Sequence, residues 1–149
     1  MNTEEIIIAR WEDSRWITLS SISFCIPAIY AYYRLLYFHF LLYFFVSIIS
    51  ANYWRKATYS WRRTLDITYS KISFIISLGY GFVYITDICY LYICYSFLFL
   101  IAYLYYVSYK LHKLNNKHWI NAHMLFHILI TCLQFIVVDS IYTNGLLPY

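Results

Sequence analysis

Charge is scarce in this chain. Only 12% of its 149 residues are Asp, Glu, Lys or Arg, against roughly 25% in an ordinary soluble domain. Glycine and proline are scarcer still, at three and two residues, which excludes a flexible linker and a collagen-like rod. With three glycines there is no Gly-rich nucleotide loop, and no Ser-His-Asp arrangement is evident. Cys25, Cys89, Cys94 and Cys132 all fall inside apolar blocks and show no C-x-x-C spacing. They read as small buried hydrophobes, neither a disulfide framework nor a metal cluster.

Apolar and aromatic side chains fill the space that charge leaves. The chain is 62% hydrophobic and 23% aromatic, which excludes intrinsic disorder and points to the bilayer as solvent. A net charge of +4 would suggest nucleic acid only if the basic residues formed a solvated face. They cluster between apolar blocks instead, so no nucleic-acid partner is expected. Nothing in the sequence specifies an oligomeric state.

The blocks set the span count. From Ile17 to Trp54 the only charge is Arg34. A helix of that length is about twice the ~30 Å hydrocarbon thickness, so the chain must fold back near Tyr33–Arg34. The block from Ile67 to Val107 is also two spans long, with Asp87 and Thr86 marking its turn. The expected fold is an all-α integral membrane bundle, one domain over 1–149. Five helices are expected, at about 17–33, 35–53, 67–86, 88–107 and 119–138, with an exit at Asp139 and a turn at Asn144-Gly145. Membrane β-strands would need alternating segments of about ten residues, and these blocks are continuously apolar. A cleaved signal peptide is not expected: Glu4, Glu5, Glu12 and Asp13 precede the first block and no small-residue cleavage site follows.

With five spans, the N-terminal tail, the 54–66 loop and the 108–118 loop share a side. Together they hold every Lys and Arg except Arg34 and Lys71. That asymmetry places the N-terminus in the cytoplasm. It also brings four polar positions to one depth. Ser50 lies near the basic end of the second helix and Asp66 at the basic start of the third. His123 and His127 lie in the first turns of the fifth, four residues apart and so on one helix face, where they can share a metal. Ionisable groups in membrane helices tend to mark a site. Plain structural readings stand beside this one. The histidines can be hydrogen-bonded packing, Asp66 can pair with Arg62 or Arg63, and Ser50 can be a small residue at a helix contact.

Three segments carry a resemblance. They are Trp16-Ile17-Thr18-Leu19-Ser20 running on to Pro27, Ser50-Ala51-Asn52-Tyr53-Trp54 with Leu65-Asp66 following, and Ala122-His123-Met124-Leu125-Phe126-His127. In order and helix position the chain resembles the alkaline ceramidases and their wider superfamily of membrane hydrolases, which includes adiponectin-type receptors. The resemblance covers about a third of the chain. It implies a seven-helix fold, a zinc held by three histidines, and hydrolysis of a ceramide-like lipid amide in the endoplasmic reticulum or Golgi. His123 and His127 would be zinc ligands, Asp66 would orient or deprotonate the water, and Ser50 would help bind the oxyanion. Trp11-Glu12-Asp13 partly echoes the family's calcium-binding segment.

Two departures stand out. Trp54 occupies the place of the family's third histidine, and indole has no acceptor nitrogen for a metal. The stretch from Asp66 to His123 has room for two helices before the last one, where the family has four. Losing two helices keeps the parity, so the site could still close, around a smaller lipid cavity. Three readings follow: a zinc-dependent lipid amidase, a catalytically degenerate relative that binds lipid or a partner helix, and a small membrane protein whose likeness is accidental.

Overall fold

A computed structural model describes residues 6–145. Glu4 and Glu5 lie outside the described residues. The chain is all-helical: α1 (Trp11–Ile22), α2 (Cys25–Tyr33), α3 (Tyr37–Trp54), α4 (Trp61–Tyr84), α5 (Ile88–Lys113) and α6 (Trp119–Gly145).

The expected first helix is two helices with a break at Ser23-Phe24. Pro27 explains it. A proline ring clashes with the carbonyl four residues back and donates no hydrogen bond, which here disturbs Ser23. The backbone tightens to three-residue bonds at the joint, from Ser23 to Ser20, Phe24 to Ser21 and Ile26 to Ser23. The rod also begins six residues earlier than expected, at Trp11 rather than residue 17.

The two tight reversals share one geometry. Leu35 (φ 61°) ends α2 and Asn115 (φ 52°) ends α5, both left-handed. The next N–H reaches back five residues in each, Leu36 to Ala31 and Asn116 to Leu111, which is the Schellman closure. At the α4–α5 corner, Asp87 caps α5 by accepting from the N–H groups of Cys89 and Tyr90.

The later helices overrun their expected ends. α4 starts at Trp61 rather than 67, and α5 runs to Lys113 rather than 107. The last turn of α5 carries Lys110, His112 and Lys113, where cations suit the helix dipole. α6 continues through Asp139, which is not an exit, to Gly145. The Asp139 carboxylate accepts from Tyr30, and the Asn144 amide donates to the carbonyl of Tyr84.

α6 packs on α1, α2, α4 and α5, while α3 packs on α1, α2 and α4. By length and composition, α5 and α6 are the two helices able to cross a membrane among the described residues. Of the others, the α1–α2 rod is broken, and the first half of α4 carries Arg62, Arg63, Asp66 and Lys71. The basic segments meet at one end. The Ile8 N–H bonds Ala57, Tyr59 bonds Ile6, and His112 Nε2 lies 3.3 Å from the carbonyl of Ile8. The N-terminal arm, the α3–α4 loop and the end of α5 are thus laced together.

Candidate functional site

The site is assembled just inside that laced end, where α6 leaves Trp119. His123 and His127 stand one turn apart on the same face, ring centroids 4.8 Å apart. His127 is buried, and His123 is half-buried. Each Nδ1 meets a serine from another helix. Ser20 Oγ of α1 lies 2.9 Å from Nδ1 of His127. Ser108 Oγ of α5 lies 3.3 Å from Nδ1 of His123.

A hydroxyl has one proton, and each serine also lies near a backbone carbonyl, Ser20 Oγ 2.9 Å from that of Ile17 and Ser108 Oγ 3.3 Å from that of Trp119. With those protons on the carbonyls, each imidazole donates from Nδ1 and presents Nε2 as its lone-pair nitrogen. A hydrogen bond at one ring nitrogen is the usual way a protein aims the other at a metal or a ligand's proton.

Ser50 and Asp66 join the same cluster from the other side. Ser50 Oγ is 3.0 Å from Ser21 Oγ, and Ser21 is the chain neighbour of Ser20. The hydroxyls of Ser50 and Ser70 face the carboxylate of Asp66, so serines rather than Arg62 or Arg63 are its partners. Asp66 is only 8% exposed, and its Oδ1 has no hydrogen-bond partner among the described residues. The four residues read from the sequence are thus connected, in the order Asp66, Ser50, Ser21–Ser20, His127, His123. Trp54 also lies where the family's third ligand was expected to project. It is buried, with its ring centroid 4.9 Å from that of His123.

Ser20, Ser21 and Ser108 were not singled out as site residues. Ser20 and Ser21 form an adjacent hydroxyl pair, flanked by Thr18 and Ser23. That is a visible signal, but small polar residues at helix contacts have the same look.

A catalytic zinc needs about three protein ligands plus water. Two Nε2 atoms qualify here and the indole beside them does not. Among the described residues no group of three His, Cys, Asp or Glu side chains gathers into a metal site. The other histidines do not join the pair. His112 packs on Trp119 with centroids 4.9 Å apart, His118 is exposed at the α6 corner, and His39 is at the far end of α3. The donor set is one ligand short of the zinc site that the resemblance implied. Calcium fares no better at Glu12 and Asp13, which occupy the first turn of α1. Calcium takes about six to eight oxygens, and two carboxylates at a helix start serve the helix dipole as they stand.

Comparison with family models, curated proteins and solved structures returns no match for this chain.

Proposed function

We propose that this chain is a multi-pass membrane protein, a shortened and metal-deficient relative of the alkaline ceramidases, that binds the head of a ceramide-like lipid at Ser50, Asp66, His123 and His127. The carrying observation is a buried acceptor without a donor, Asp66 Oδ1, in one connected cluster with Ser50 and the His123–His127 pair. Buried acceptors without donors are costly, about 1–3 kcal/mol each. A ceramide-like head offers the missing donors, an amide N–H and hydroxyls. Its acyl chains suit the surrounding apolar surface.

Membrane residence is supported by what the helices expose. Phe99 is 77% exposed, Tyr92 69% and Phe82 67%, an outward face that water would disfavour. The five-span reading takes α1–α2 as one kinked crossing and α3, α4, α5 and α6 as the others. The basic end then faces the cytoplasm. The endoplasmic reticulum or Golgi follows from the resemblance alone.

Zinc-dependent hydrolysis is the competing reading. It would use His123 and His127 as ligands, with Asp66 and Ser50 beside them, and it needs a third protein ligand that Trp54 cannot supply. Metal analysis of the purified chain separates the two, together with binding and turnover of a fluorescent ceramide. The binding reading expects far less than one zinc per chain and no turnover. It also expects Asp66→Asn to weaken ceramide binding while leaving helix content intact. Equimolar zinc that is lost in His123→Ala and His127→Ala, with turnover lost in Asp66→Asn, would replace it with the hydrolase.

A further inference from the structure

A second line of polar side chains runs along the α3–α4 seam and leads away from the histidine pair. The two helices are antiparallel, and three levels of facing residues are in contact. Ser50 faces Asp66. Tyr43 Oη is 3.0 Å from Ser77 Oγ. The His39 ring sits edge-on to Tyr80, centroids 4.5 Å apart. Ser73 falls between these levels at helical spacing, while the Ser47 hydroxyl turns the other way and donates to the carbonyl of Ser21. Positions 39, 43, 47 and 50 lie on one face of α3, and 66, 70, 73 and 77 on one face of α4. From Ser50 to His39 the column rises about 16 Å. α6 adds Gln134, one turn before Val138, which belongs to the same buried cluster as Tyr43.

Small residues at a helix seam need no function beyond close packing. Here, though, the seam contains a tyrosine and a histidine, and several of its polar atoms are stranded. Ser73 Oγ, Gln134 Oε1 and His39 Nε2 are buried with no partner among the described residues, as is Asp66 Oδ1 at the inner end. Ser73, Gln134 and His39 are each at most 3% exposed. Buried polar atoms without a protein partner are commonly bonded to internal water. Water, hydroxyls and imidazole each donate and accept, so a file of them can pass protons.

We infer that the column from Asp66 through Ser73, Ser77 and Tyr43 to His39 is a proton path between the two ends of the bundle. Each hydroxyl takes a proton on a lone pair and releases its own, and Ser77, which donates to the carbonyl of Ser73, turns off that carbonyl to pass its proton on. His39 takes one on one ring nitrogen and releases one from the other. Only O–H and N–H bonds exchange, and one proton is moved per passage, driven by whatever electrochemical gradient is applied.

The test uses the full chain reconstituted into liposomes with a trapped pH-sensitive dye and a potassium diffusion potential set by valinomycin. Wild type is expected to carry proton flux above that of protein-free liposomes. His39→Phe and Tyr43→Phe are expected to fall to the protein-free level, and Phe99→Ala, on the outer face, to keep the wild-type rate. Thermal unfolding in detergent establishes that each variant is folded, and Ser73→Ala replaces any that is not, with the same loss expected. Wild-type flux no higher than that of empty liposomes overturns the inference. So does flux retained in the folded column variants.

Discussion

α5 and α6 are near twins by composition, both long and apolar enough to cross a membrane, yet they occupy opposite places in the bundle. Only 17% of the apolar window of α5 is buried, against 50% of that of α6. α5 leans on α6 as its main partner, whereas α6 touches α1, α2, α4 and α5. Hydropathy therefore says that a helix tolerates lipid and says nothing about whether it meets any. Polar residues make the distinction. α6 buries His127, Thr131, Gln134 and Ser140, while α5 buries one hydroxyl, Ser108, where it reaches the histidines. A polar side chain in an apolar helix needs a partner, and the partners are in the middle of the bundle.

Truncation should expose that contrast most sharply. Leu133 on α6 is 4% exposed, and Leu133→Ala should lower stability in detergent by about 2–5 kcal/mol. Phe99→Ala on the outer face of α5 should move it by no more than about 0.5 kcal/mol. Equal losses in denaturant titrations would mean that α5 is as enclosed as α6.

His127→Ala comes next. It removes the buried bond to Ser20 and should lower stability by about 1–3 kcal/mol, along with ceramide binding. Unfolding and binding measured on the same preparation check both. Tyr30→Phe removes the 2.6 Å bond to Asp139 that ties α2 to α6 and should lower the unfolding free energy by about 1 kcal/mol. The smallest effect is a gain. Leu35 holds a left-handed conformation (φ 61°) with its side chain exposed, so Leu35→Gly should stabilise by up to about 1 kcal/mol. Asn115→Gly at the matching corner should change little, because asparagine already tolerates that region. Melting curves of the two variants decide it.

Much of this arrangement can be read from apolar block lengths and the placement of Lys and Arg. The turn at Asp87 and the start of α6 at Trp119 needed nothing else. The kink at Ser23-Phe24 was hidden because Pro27 lies within an unbroken apolar run and hydropathy does not register a missing N–H. The overrun of α6 past Asp139 depends on Tyr30, a partner 109 residues away that no local pattern reveals. At the site, the four-residue spacing of His123 and His127 and the shared depth of Ser50 and Asp66 were legible. The serines that connect them were not, since a hydroxyl beside an imidazole and a hydroxyl at a packing contact are spelled alike. Trp54 was the most informative single letter. Its indole packs against His123 at the position where the resemblance calls for a third metal ligand.

The most direct measurement compares binding of a fluorescent ceramide to the purified chain with binding of the same lipid whose hydroxyls are O-methylated. Methylation keeps the acyl chains and the amide and removes hydroxyl donors. If buried acceptors hold the head group, the methylated lipid binds far more weakly to wild type, and His127→Ala narrows the gap. Equal binding of the two lipids would contradict the account.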